Sequence, residues 1–202
     1  MKTRTKALLL VMSAMLLVVS TVFATLAYLT SKTGVITNTF SVGNVTITMD
    51  EAKVTEYGVV DGATRVQEND YKLIPGHTYV KDPTIHVADK SEPCYLFIKV
   101  VNDIIDIEEA GKTVNEQILG NGWTDISTSG NVTIYGKATP VDARGGAVDV
   151  ATFGTISIKT DADLTGYADK TVTIQACAIQ ADGFADMSAA WNAGLGSTFP
   201  TP

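Results

Sequence analysis

Two histidines, two cysteines and a few paired acids are the side chains of this sequence best suited to chemistry. His77 and His86 stand nine residues apart with Pro83 between them. No His-Glu-x-x-His stretch, Cys-x-x-Cys pair or His-x-His pair accompanies them, so the spacing of a zinc-ligand set is missing. A nucleophilic serine would need its base beside a Gly-x-Ser-x-Gly turn, and neither histidine lies near one. Asp161-Ala-Asp163 and Glu108-Glu109 could attract calcium. Neither has the loop of alternating ligands, central glycine and terminal glutamate that an EF-hand requires. The glycines come in turn pairs rather than between a strand and a helix, which leaves no phosphate cradle. Spacing thus predicts no catalytic residue, no metal ligand and no cofactor, and it places each histidine on a strand surface.

The elements that would carry these residues read as strands. In Asn44-Val-Thr-Ile-Thr-Met-Asp50, Val45, Ile47 and Met49 alternate with Thr46 and Thr48, the period of a β-strand. Similar runs recur at 77–87, 95–101, 132–135, 148–159 and 171–180. Asp61-Gly, Pro75-Gly, Asn121-Gly, Gly145-Gly and Asp182-Gly mark turns between them. Helical signals are few. Thr113-Val-Asn-Glu116 fits a capping box, and Ala185–Ala193 would place Met187 and Trp191 on one helical face as core plugs. The pattern predicts a mostly β fold, a jelly-roll-like antiparallel β-sandwich with one or two short helices.

The N-terminus has a different composition. Lys2, Arg4 and Lys6 precede an uncharged run from Ala7 to Ala27, and no acid occurs before Asp50. A basic start, an apolar stretch and small residues at its end have the layout of a secretory signal. The expected cut lies between Ala27 and Tyr28, with Ala24 marking a second possible site; an uncleaved membrane anchor is the competing reading, since the apolar run is long enough to span a bilayer. The expected organisation is a signal peptide over 1–27, an N-terminal arm over 28–39 and one β-domain over 40–202. Cleavage would remove three of the 15 basic side chains and no acidic one, deepening a net charge of −7. Such acidity argues against nucleic acid, whose binding rests on Lys and Arg neutralising phosphate. Membrane contact is expected through the signal alone.

Cys94 and Cys177 both fall in the exported part, where an even count permits a disulfide worth about 2–4 kcal/mol. Two buried free thiols, packed as small apolar residues, are the other possibility.

Several stretches together resemble the TasA/CalY (camelysin) family of secreted proteins. They are Ala24-Thr-Leu-Ala-Tyr-Leu-Thr30, Thr37-Asn-Thr-Phe-Ser-Val-Gly-Asn-Val-Thr-Ile-Thr-Met-Asp50, Leu73-Ile-Pro-Gly-His-Thr-Tyr-Val-Lys-Asp-Pro83 and Gln180-Ala-Asp-Gly-Phe184. The resemblance implies a jelly-roll domain exported with the help of a SipW-type signal peptidase to the cell surface or biofilm matrix of a Gram-positive-type bacterium. It also implies self-association into fibres by donor-strand complementation. The arm freed by cleavage, with Tyr28, Leu29, Val35 and Ile36 as its apolar residues, would add to a neighbour's sheet. A lead-in that folds back on its own domain is the alternative for this arm. Two other functions stay open: a camelysin-like secreted metallopeptidase, for which no ligand set is visible, and a monomeric surface adhesion module.

Overall fold

The computed structural model describes residues 5, 6, 8, 10–17 and 44–200. Two compact units divide the chain, Met1–Ser41 and Val42–Pro202. In the first, the described residues are helical, and Leu10, Met15 and Leu16 expose their side chains. Among the described residues, no helix is long and apolar enough to cross a membrane.

The second unit is mostly β, with antiparallel sheets and short helices. Its strands are β1 (Ile47–Val54), β2 (Val60–Val66), β3 (Thr78–Val80), β4 (Thr84–Val87), β5 (Cys94–Asn102), β6 (Trp123–Ser129), β7 (Val132–Lys137), β8 (Val148–Ala151), β9 (Thr155–Ser157) and β10 (Val172–Gln180). One sheet has the order β2-β1-β4-β8, a second β10-β5-β7-β6, and β3 pairs with β9. The two larger sheets share one core. Ile85, Val87 and Val150 from the first pack in one cluster with Cys94, Leu96, Ile98, Val100 and Tyr135 from the second.

Alternation explains how strand β5 serves two cores. Its even-numbered residues face the core between the sheets, whereas Tyr95 and Phe97 point the other way. That outer face is covered by the C-terminal segment, where helix α2 (Met187–Ala189) runs on into a π-helical turn, Ala190–Gly194. Met187, Ala190 and Trp191 are buried against Tyr95 and Phe97, as the four-residue spacing of Met187 and Trp191 predicts. Helix α1 (Val114–Gly120) begins at the expected capping box. Thr113 Oγ1 accepts from the Glu116 amide, and Glu116 Oε2 accepts from the Thr113 amide at 2.9 Å.

The structure corrects several boundaries. The expected run 77–87 is two strands, because Lys81-Asp-Pro83 interrupts it and proline cannot donate to a ladder. The run 148–159 likewise breaks at Phe153-Gly154. Asp61-Gly62, expected as a turn, lies inside β2, where Gly62 takes φ +78° opposite a register shift in β1.

Candidate functional site

Ala27, Tyr28, Leu29, Val35 and Ile36, the expected cleavage and arm residues, lie outside the described residues. The two cysteines lie within them, and both are free thiols. The disulfide considered from sequence is therefore corrected. Cys177 pairs with Phe97 and Cys94 with Gln180, three register positions apart on adjacent strands. Cys94 faces the core between the sheets, and Cys177 faces the C-terminal segment on the opposite side. A bond cannot pass through the sheet between them. Burial pushes both thiols up, Cys94 to about 11 and Cys177 to about 12, which keeps them protonated and unreactive.

Three of the four acids that the sequence offers to calcium are engaged by other groups. Glu108 is buried, accepting from Asn102 Nδ2 at 3.0 Å and from the Val114 amide at 3.1 Å. Glu109 pairs with Lys112, and Asp163 caps the turn at Thr165. Among the described residues, no group of three or more His, Cys, Asp and Glu side chains is placed to hold a metal ion.

One concave feature stands out at the side of the second unit. A groove of about 940 Å³ runs between β1, at Met49–Glu51, and the first half of β10, at Val172–Gln175. Tyr79, Ile104, Ile156 and Leu164 are among the apolar side chains that line it. Strand β10 pairs with β5 over all nine of its residues, and among the described residues its other edge has no strand beside it. The core opens here. Inward-facing Val172, Ile174, Ala176 and Ala178 of β10 are only half-buried, whereas Cys94, Leu96, Ile98 and Val100 on neighbouring β5 are at most 3% exposed. A row of apolar side chains beside an open backbone edge is the arrangement that accepts an added strand.

Polar side chains crowd the β1 side of the groove. Glu51 is buried and accepts from Lys81 Nζ at 2.6 Å and from Asn69 Nδ2 at 2.9 Å. Next to it, Arg65 joins Asp50 to Asp82. His86 completes a line of charges across the sheet, with Nε2 on Asp50 at 2.9 Å and Nδ1 on Asp149 at 2.7 Å. Hydrogen bonds to Asp50 first, and then to Asp149, hold the His86 imidazolium above its ordinary range. Burial works to raise Asp50, but hydrogen bonds from Arg65 and His86 outweigh it and leave the carboxyl below its usual value. The other histidine, His77, sits against the Tyr57 carbonyl and the Tyr79 ring.

Sequence reasoning placed His86 on a strand surface but did not find Glu51, Asn69 and Lys81 as neighbours. Their only signal was polarity, with Glu51 inside β1 and Asn69 and Lys81 following β2 and β3, and their meeting depends on how the segment between β2 and β3 folds back. Comparison with protein-family models, with curated proteins and with solved structures finds no match to this chain.

Proposed function

We propose that this chain is a secreted structural protein, a fibre-forming subunit of the TasA/CalY-like kind that assembles by donor-strand addition. In this reading, residues 1–27 are an export signal, the β-domain is a jelly roll, and cutting at Ala27/Tyr28 frees the arm that joins one copy to the next. The observation that carries the reading is the edge of β10, beside which no strand lies among the described residues, above a groove lined by apolar and charged side chains. An extended arm of 11 residues, Tyr28–Asn38, spans about 36 Å, enough to run beside a nine-residue strand. Main-chain hydrogen bonds along β10 would supply affinity, and apolar arm residues would complete the half-buried core. Charge agrees with this, since the arm carries Lys32 and no acid while Glu68, Asp70 and Asp169 lie on the groove walls. A head-to-tail link of this kind does not close on itself and propagates into a filament.

Electron microscopy of purified protein beginning at Tyr28, beside protein beginning at Phe40, tests the proposal. Filaments are expected from the first and soluble particles from the second. Filaments from both, or monomers from both, would overturn it.

A further inference from the structure

At the groove wall an amine and a carboxamide each contact one carboxyl group. Lys81 Nζ lies 2.6 Å from Glu51 Oε2, and Asn69 Nδ2 lies 2.9 Å from Glu51 Oε1, so one carboxyl group bridges both. The orientation of the Asn69 amide is fixed by its other partners. Its Nδ2 also donates to the Ala52 carbonyl at 3.0 Å, and its Oδ1 accepts from the Val54 amide at 2.9 Å. Lys81 and Glu51 are almost wholly buried, with side chains 10% and 5% exposed, and the amine lies 5.7 Å from the centre of the Tyr71 ring. Burying two charges costs several kcal/mol per ion before their attraction offsets it, so neutralising the pair relieves a real penalty.

We propose that the folded chain joins Lys81 to Asn69 by an intramolecular isopeptide bond, with Glu51 as the catalytic acid and base. A proton passes from Lys81 Nζ to Glu51 across their short contact, leaving a neutral amine with a free electron pair. That pair attacks Asn69 Cγ, the new N–C bond forms, and the carbonyl electrons move onto Oδ1. The Val54 N–H already points at this oxygen and stabilises the charge that develops there. The Cγ–Nδ2 bond then breaks, and its electrons leave with nitrogen as ammonia. Of the two protons that the lysine ammonium gives up, one departs in the ammonia and one remains on Glu51. Atoms and charge balance without any oxidant, metal or cofactor. Held in place by the fold, the two groups react as an intramolecular pair, the situation that gives large effective concentrations. The product ties the segment after β2 to the segment after β3, beside β1, and is independent of whether the protein forms fibres.

Tryptic mapping of the full chain by mass spectrometry tests this. The bond would yield peptide 66–72 joined to peptide 73–90, because Lys81 no longer directs cleavage, with a mass lower by one ammonia. Glu51→Gln is expected to slow formation of the joined species by about 100-fold or more. Recovery of separate peptides 66–72 and 73–81 at full mass from the folded wild-type protein would overturn the proposal, whatever the variants do. Ammonia loss confined to peptide 66–72, or persisting in Lys81→Arg, would also overturn it, since that marks a backbone succinimide at Asn69-Asp70.

Discussion

At the scale of single residues, His86 ties protonation to the stability of a whole sheet. It lies on β4 between Asp50 of β1 and Asp149 of β8, and Asp50 in turn holds Arg65 of β2. Charged side chains from all four strands therefore form one line, and His86 is the member that titrates near neutrality. Folding raises its proton affinity, so its contribution is complete below the unfolded value of about 6.5 and fades as pH rises through the higher folded value. With the side chain 27% exposed, the effect is about 1 kcal/mol or less. Urea melts between about pH 5.5 and 8.5 are expected to show stability falling with rising pH, and His86→Gln to flatten that slope. An unchanged slope in the variant would assign the dependence elsewhere. The alternation around Thr46 and Thr48 made β1 legible, but the partners of His86 come from strand register, which no local pattern encodes.

At the scale of elements, the sequence was most readable where local chemistry decides the outcome. The capping box at Thr113 and Glu116 specifies α1 without help from the rest of the fold, and alternation in 95–101 and 171–180 specifies β5 and β10. Strands β2 and β6 escaped detection because they are edge strands whose residues are mostly exposed and polar, so burial imposes little alternation on them. The C-terminal cap shows a third case, in which a pattern was visible but its reason was not. Met187 and Trp191 form a helical face, yet that face docks only because β7 carries glycine at position 136. A Cβ there would lie 2.3 Å from Met187 Sδ and 2.8 Å from Ile126 Cδ1. Gly136→Val should therefore push α2 off the sheet, costing about 1–3 kcal/mol in overpacking and exposing Trp191. Tryptophan fluorescence shifted to the red, with a lowered melting temperature, is the expected result. A variant with wild-type emission and stability would show that the cap tolerates the added bulk.

For the whole molecule, the proposed assembly divides into two separable halves, an arm that donates and a groove that accepts. The arm was accessible from composition, since an uncharged stretch and small residues mark where it begins. The groove was not, because an open edge depends on strand order: nothing local in 171–180 says that, among the described residues, β10 ends its sheet while β5 lies inside it. This division permits a complementation experiment. A chain beginning at Phe40 keeps the groove but cannot donate, whereas Ile174→Lys in a chain beginning at Tyr28 keeps the arm but places a charge among half-buried apolar residues of the acceptor. Neither protein alone can propagate a head-to-tail chain, which needs both halves in every subunit. Mixed together, the arm of the second can enter the intact groove of the first, and growth stops there because each partner lacks what a third would need. The expected outcome is monomers separately and one-to-one dimers on mixing, read by size-exclusion chromatography with light scattering. Filaments from Ile174→Lys alone would place the acceptor elsewhere on the domain. Failure of the mixture to pair, with both proteins folded, would show that the arm does not use this groove.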